Sequence, residues 1–316
     1  MSKVYDGIYG VIVGDMLGVP VEFERRENLE KDPVTGPREG GSHEQPLGAW
    51  SDDTSLTLAL ADSFREPFEL RVVAKNFIDW WQYKKYTSHD CVFDIGERTR
   101  LSLNNLLKIL ESKDYESLKY LHYEADEKSN GNGSLMRILP LYFPLQHTGI
   151  EGGFETIRQV SALTHPHIRS ALACLIYLIM LDEMQRRDTL LDAYSATQVR
   201  AKDFFNTYQV SDDEWSVFSR IIHEDISSLS KSEITTDGYV VHTLEAAFWC
   251  LLSTNSYQES VLKAVNLGGD TDTTGAVTGG LAGFWYGFDA IPQEWLNILP
   301  KKNEINDICD YVTRKW

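Results

Sequence analysis

Apolar residues recur along this chain at steps of three and four over most of its length. That spacing gathers them on one side of a helix with 3.6 residues per turn. Residues 71–83 show it plainly, with Val72, Val73, Phe77, Ile78, Trp80 and Trp81. The same reading predicts helices over 54–64, 102–111, 154–162, 188–206, 212–230, 239–253 and 256–265. Residues 4–17, apolar with small residues interleaved, 168–184 and 274–285 also read as helices, and the most apolar stretch, Ala171 to Leu181, reads as a buried core helix. Period-two alternation bounded by hairpin turns is hard to find, so the expected fold is all-α, a multi-helix bundle with little or no sheet. No fixed-period repeat and no Pro- or Ser-rich linker divides the chain, and one domain over 1–316 is expected. Residues 185–237 are more polar and read as a peripheral helical layer. Residues 30–50, with Pro33, Gly36, Pro37, Gly40, Gly41, Pro46 and Gly48, read as a long loop. Loops of that length inside a compact domain are usually functional or mobile.

Composition narrows the function classes. The chain has 316 residues, 42% hydrophobic and 24% charged, which is ordinary for a folded protein. Its net charge of −17 repels polyphosphate backbones, so general nucleic-acid binding is not expected. Cys91, Cys174, Cys250 and Cys309 are far apart, which disfavours zinc ribbons and redox pairs and fits reduced thiols in a cytoplasmic protein. Asp6 and Asp15 interrupt the first apolar run and no basic segment precedes it, so it does not read as a signal peptide. Ala171 to Leu181 is too short for a bilayer span, which takes about 20 residues. A monomer with no membrane association is expected.

Two tracts carry candidate chemistry of one kind. The first is Trp50-Ser51-Asp52-Asp53-Thr54, at the start of an apolar helix. Ser and Asp there make a good N-cap. They are also hard oxygen donors suited to a divalent cation. The second is Gly268-Gly269-Asp270-Thr271-Asp272-Thr273-Thr274, again opening an apolar helix. Neither tract alone has enough ligands. Together Ser51, Asp52, Asp53, Asp270, Asp272 and Thr273 supply four carboxylates and two hydroxyls, enough for one or two Mg²⁺ or Mn²⁺ ions. The histidines are not spaced as a zinc set. An EF-hand loop from Asp270 would need Glu at its last position, where Leu281 stands. The Asp270-x-Asp272-x-Thr274 string also fits an aspartyl-phosphate motif, but the glycines before it and the missing α/β alternation disfavour that chemistry.

Three further tracts leave alternatives open. Ser129-Asn130-Gly131-Asn132-Gly133-Ser134 can point backbone N–H groups into one concavity for phosphate oxygens, or can be an ordinary turn. Arg137, just beyond it, reads better as a buried ion-pair partner than as a ligand contact. Glu22, after Gly18-Val19-Pro20-Val21, is either a solvated glutamate or a general base tuned by burial. His165, in Thr164-His165-Pro166-His167, taken alone is a structural histidine.

Taken together, the tracts GVIVGDMLGVPVEF, GAWSDDTSLTLALADS, GNGSLMRILPL, LTHPH, GYVVHTLEAAFWCLL and NLGGDTDTTGAVTGGLAGFWYG resemble, in order, the ADP-ribosylglycohydrolase family. That family includes the enzyme that reactivates dinitrogenase reductase. The resemblance implies an orthogonal all-α fold and a centre of two Mg²⁺ or Mn²⁺ ions held by Ser51, Asp52, Asp53, Asp270, Asp272 and Thr273. It implies Glu22 as catalytic glutamate beside Asp53, and a substrate site of Asn130, Gly131, Asn132, Gly133, Ser134 and His165. The implied reaction is hydrolysis of the glycosidic bond between ADP-ribose and an acceptor, with ADP-ribosyl-arginine on protein the foremost substrate. Other ADP-ribose-containing molecules are further substrates. Two alternatives stand beside it: a non-catalytic ADP-ribose binder, and a metal-dependent nucleotide phosphohydrolase. Ser51 stands where Thr is common and keeps the hydroxyl. His242 stands where Asp is often found, with an effect expected at a lid or at a contact behind the site.

Overall fold

The computed structural model describes residues 2–126 and 128–316. Among them are eleven α-helices of nine residues or more: α1 (Lys3–Gly18), α2 (Asp52–Asp62), α3 (Leu70–Tyr83), α4 (Glu97–Ser112), α5 (Phe154–Ala162), α6 (Ile168–Met184), α7 (Leu190–Tyr208), α8 (Val240–Leu252), α9 (Tyr257–Val265), α10 (Thr271–Tyr286) and α11 (Lys302–Lys315). No sheet forms among the described residues; the only β pairing is two isolated bridges, Gly40 with Gln45 and Gly131 with Tyr239. The fold is all-α, as the periodicity predicts.

Three helices are enclosed on all sides. In α1 every residue from Asp6 to Gly18 is buried, in α6 every residue from Ser170 to Met184, and in α10 every residue from Thr271 to Phe284. Their largely apolar sequences present no continuous polar face to water. The Lys3–Val21 segment is long and apolar enough to cross a bilayer by composition, yet 89% of its tested window lies inside the protein. It is the central core helix. The polar 185–237 region is peripheral, with α7 laid over α6. Arg200 fastens that layer through charge-assisted bonds to Glu151, Asp182 and Glu183.

α1 and α10 run antiparallel and pack backbone on backbone. A methyl group on Gly14 would overlap the Gly275 carbonyl oxygen, one on Gly10 the Gly279 carbonyl, and one on Gly18 the backbone of Thr271 and Asp272. Methyls on Gly279 and Gly283 would overlap Gly10 and Asp6 in turn. Both helices therefore carry glycine at every fourth position along one shared seam. The end of α1 thereby meets the start of α10.

Two expectations need correction. The segment 212–230 is not one helix. It breaks into short turns at Phe218 (ψ 4°) and Glu224 (ψ 160°). Beyond it Ser227 and Ser228 bond the backbone and side chain of Asp225 in place of helical partners. Conversely, α11 has no counterpart among the predicted helices, although Ile305, Ile308, Cys309 and Val312 form its buried stripe at helical spacing.

The seam makes a test. Gly279→Ala is expected to cost about 1–3 kcal/mol by overpacking, read as a lowered melting temperature. Gly152→Ala, at an exposed site with nothing within 4 Å of the added carbon, is expected to stay within about 0.5 kcal/mol of the parent. Equal stabilities for the two variants would contradict the backbone contact.

Candidate active site

Ser51 is the N-cap of α2: its hydroxyl accepts from Asp53 N and donates to Asp53 Oδ2 at 3.1 Å. The cap itself is held from outside. Asp15, fully buried on α1, accepts hydrogen bonds from Ser51 N, Thr54 N and Thr54 Oγ1 at 2.6–3.1 Å. Asp15 thus takes the free N–H groups of the first turn and fixes the direction of the Asp52–Asp53 pair. The capping reading and the ligand reading of this tract are both compatible with one geometry.

The second tract turns on Gly268 and Gly269, both left-handed at φ 75° and 74°. A side chain at Gly269 would overlap the Thr236 carbonyl, and Asp270 N donates to that same carbonyl at 3.0 Å. Two backbone bonds tie this turn to the segment after α1: Phe23 N to Gly269 O at 2.8 Å, and Gly269 N to Glu24 O at 2.9 Å. Phe23 reaches them at φ 66°, which is unusual for a bulky residue and costs on the order of 1–3 kcal/mol. Glu22 is registered against Asp270 by this pairing. On the other side Asn132 Nδ2 donates to Asp270 Oδ2 at 2.7 Å and to Thr243 Oγ1 at 3.0 Å.

The two tracts, 220 residues apart, meet directly: Thr273 Oγ1 lies 3.4 Å from Asp53 Oδ2. Oxygen atoms of Glu22, Asp270 and Asp272 all fall within 4.8 Å of one another. Among the described residues no Lys or Arg pairs with Asp52, Asp53, Asp270 or Asp272. Asp53 Oδ1 and Asp272 Oδ2 are buried and accept no hydrogen bond from any described residue. Burial first, then mutual repulsion, pushes the carboxyls of Asp52, Asp53 and Asp272 well above the ordinary range. Burial raises Asp15 to about 6 against its hydrogen bonds, and burial with Asp94, Asp270 and Asp15 nearby raises Glu22 to about 9. Buried carboxylates with orphaned oxygens and no organic cation fit divalent ions with hard oxygen ligands.

A cavity of about 410 Å³ opens over this cluster, in the usual range for a small-molecule site. Glu22, Asp52, Asp270 and Thr273 form part of its wall; Gly131, Asn132, Gly133 and His165 form another part. Gly133 is required where it stands, since an added carbon there would press into the His165 ring. His165 is buried, bonded to Thr164 Oγ1 through Nδ1 at 2.9 Å, and held neutral: burial and the nearby Arg137 and Arg98 lower its pKa to about 3. The side chains of Asn130 and Ser134 are not on the cavity wall. Ser134 is fully buried, with its hydroxyl accepting from Ser161 Oγ.

Arg137 is buried as expected, but the expected ion pair is absent among the described residues. Its guanidinium donates instead to the carbonyls of Gly133 and Val160 and lies 4.9 Å from the Phe77 ring centroid. It supports the glycine loop from behind. His242 is half-exposed and bonds Asp237, a cavity-wall residue, at 2.9 Å. Four residues of the site escaped sequence reasoning. Asp15 is one. Arg98, on the first turn of α4, is the single arginine on a wall that carries six carboxylates. Asp94 and His43 flank Glu22: His43 Nε2 is 2.6 Å from Glu22 Oε2 and 3.6 Å from Asp94 Oδ1.

The ADP-ribosylglycohydrolase family matches residues 1–316 of this chain. The chain belongs to that family. It is a hydrolase of ADP-ribose glycosidic bonds. This glycohydrolase is 27% identical to the ADP-ribosylarginine hydrolase Tri1 of Pseudomonas putida, over 98% of this chain and 77% of that one. It is 27% identical to the ADP-ribosyl-[dinitrogen reductase] glycohydrolase of Rhodospirillum rubrum, over 96% of this chain and 92% of the relative. A solved chain described as an ADP-ribosylglycohydrolase-related protein complex superposes with a TM-score of 0.78 at 27% identity, covering 99% of this chain and 97% of that chain.

The raised carboxyls set the pH behaviour of the metal-free glycohydrolase. Folding raises their pKa values, so the folded state keeps protons that the unfolded chain releases. The stability they confer is complete below the ordinary values of 3.8 and 4.5 and is lost as pH climbs through about 6 for Asp15 and about 9 for Glu22. Metal-free protein is expected to melt at progressively lower temperature from about pH 5 to about pH 9, and Mg²⁺ or Mn²⁺ to remove most of that slope. Calorimetry across this range checks it; a metal-free melting temperature that rises with pH would contradict the cluster.

Proposed function

We propose that this glycohydrolase removes ADP-ribose from arginine side chains of modified proteins, with two Mg²⁺ or Mn²⁺ ions held by Ser51, Asp52, Asp53, Asp270, Asp272 and Thr273. The observation that carries the metal centre is the meeting of two buried carboxylate tracts with orphaned oxygens at Asp53 and Asp272. Arginine as acceptor is supported by the named relatives of similar sequence and by the six carboxylates of the cavity wall, of which Asp94 groups with Glu22. Such a wall suits a guanidinium group.

When bound, the ions supply charge that keeps the surrounding carboxyls ionised, favours attack by water and engages sugar hydroxyls. The protein's own groups do the rest. Gly131 and Gly133 present backbone to the diphosphate, with Arg98 beside them as the cation that an anionic ligand needs. Neutral His165 lines the same region and offers a hydrogen bond without a charge. In its ionised form Glu22 takes a proton from water as the glycosidic C–N bond breaks. That proton is the one the leaving guanidine must gain, so the sum of the reaction is water added across the bond. The positive charge that develops on the sugar ring is stabilised by the carboxylates around it.

The test is product analysis with an ADP-ribosyl-arginine peptide, in parallel with serine- and nucleobase-linked ADP-ribose. Intact ADP-ribose is the expected product, formed fastest from the arginine conjugate and lost on chelation. AMP or phosphate as product would turn the reading toward a phosphohydrolase, and tight ADP-ribose binding without release would turn it toward a binder. Glu22→Gln is expected to lower kcat about 10²- to 10⁴-fold. Asp53→Asn and Asp270→Asn are expected to abolish Mn²⁺ binding in a calorimetric titration while circular dichroism keeps its helical signal. Wild-type metal affinity in either variant would refute the ligand assignment.

A further inference from the structure

The stretch between the short helix Arg26–Lys31 and α2 contains one tightly made turn. Gly40 N donates to Gln45 O at 2.7 Å and Gln45 N returns to Gly40 O at 3.1 Å. Gly40, Gly41 and Glu44 are left-handed, at φ 92°, 72° and 51°. Gly41 lies so close to the Pro20 carbonyl that a side chain there would overlap it. A surface turn gains nothing from such conformations unless something it carries must be held in place.

What it carries touches one residue twice. Ser42 Oγ donates to the backbone carbonyl of Glu22 at 2.8 Å, and His43 Nε2 lies 2.6 Å from Glu22 Oε2. The His43 ring is itself set between Phe23 and Phe93, at centroid distances of 6.0 and 5.3 Å. Glu22 has two sets of neighbours within reach. One is His43 with Asp94; the other is Asp270 with Asp272, inside the proposed metal centre. A carboxylate drawn into that centre becomes a ligand and is no longer free to take a proton from water.

The geometry points to His43 as a positioning residue that holds Glu22 Oε2 and so keeps the carboxyl, although within 4.8 Å of Asp270 and Asp272 oxygen atoms, from turning into the metal centre. The assignment rests on the reading of Glu22 as the base. His43 acts on Glu22 through the hydrogen bond between His43 Nε2 and Glu22 Oε2. A His–carboxylate contact of this kind fixes ring and carboxyl together. Small misplacements of a reacting group can cost about 100-fold in rate.

The experiment uses the intact protein loaded with Mn²⁺ and an ADP-ribosyl-arginine peptide. His43→Ala and His43→Asn, both too short to reach Glu22 Oε2, are expected to lower kcat about 10- to 100-fold with KM nearly unchanged. Mn²⁺ affinity, read by calorimetry, is expected to stay equal or become tighter, since Glu22 is then free to join the ions. Added imidazole is expected to recover turnover in His43→Ala, and His43→Gln, whose amide reaches farther, to exceed His43→Asn. Wild-type turnover in His43→Ala overturns the proposal, as does a loss that neither imidazole nor glutamine recovers, or a clear loss of Mn²⁺ affinity. Should His43→Ala fail to fold, equal rates for the Asn and Gln variants overturn it. Glu22→Gln run in parallel separates the two readings: if that variant keeps full activity, the base assignment falls first; if it is dead while His43→Ala is normal, only the present proposal falls.

Discussion

The backbones of α1 and α10 touch because no side chain stands between Gly10, Gly14 and Gly18 on one helix and Gly275, Gly279 and Gly283 on the other. Any larger residue would hold the helices farther apart, as side chains set the usual 8–10 Å spacing. Antiparallel contact at this closeness places the C-terminal end of α1 beside the N-terminal end of α10. Asp15 sits on the last turn of the first helix, and Asp270 and Asp272 on the first turn of the second. Glu22 follows four residues after α1 and is tied back to Gly269 by the backbone. The carboxylate cluster is therefore a consequence of where two helices are allowed to meet. The chain's acidity alone would scatter such groups, since like charges separate when free to do so.

Keeping these groups together has an electrostatic cost that the fold offsets in part. The N-termini of α2 and α10 both begin among the carboxylates, and the positive ends of their dipoles favour negative charge there. Asp15 uses its own carboxylate to satisfy the first turn of α2, and Asn132 gives an amide to Asp270. The backbone N–H groups that donate to Asp15 and the Asn132 amide that donates to Asp270 are neutral, so they orient individual oxygens without neutralising them. An arginine or lysine in the same place would form a finished salt bridge and leave nothing for a metal. The orphaned oxygens of Asp53 and Asp272 are what remains when every available donor has been used and charge is still uncompensated.

How much of this was legible in the sequence follows from how local each feature is. Ser51-Asp52-Asp53 and Asp270-Thr271-Asp272-Thr273 are contiguous, and capping chemistry and ligand chemistry both leave their residue types in one short window. The helices with strong apolar periodicity were legible for the same reason. The short apolar stripe of α11 was overlooked among its charges, and the serine-rich tail of 212–230 carried a helical pattern that the backbone does not follow. The glycine seam was visible only as small residues interleaved in two tracts; that they face each other is a tertiary fact. His43 and Asp94 lie in stretches without periodicity, and nothing in either tract states that both approach Glu22. Arg98 lies on the first turn of a helix whose apolar periodicity begins only at residue 102, so the pattern does not reach it. A residue that orders others, such as Asp15, leaves little trace, because its partners are the backbone and side chain of a distant tract.

The cavity wall is electrically uneven, and this bears on how an acidic protein can take an anionic ligand. Arg98 donates to the Thr164 carbonyl at 3.3 Å, which places it next to His165, in the same cavity as the carboxylates of Glu22 and Asp270. The loop behind it is supported by the buried Arg137, whose charge faces the carbonyls of Gly133 and Val160. Arg98 is thus the one arginine on a wall of six carboxylates, and these are spread around it: Glu97 precedes it, Asp237 adjoins Gly238, whose carbonyl accepts from Asn132 N at 3.1 Å, and Asp270 accepts from Asn132 Nδ2 at 2.7 Å. Without divalent ions to neutralise the carboxylates, an anionic group placed away from Arg98 would face negative charge. Discrimination of that kind comes as much from the unfavourable arrangement as from the favourable one. It makes the position of the anionic group, rather than affinity alone, the property that the distribution of charge on this wall controls.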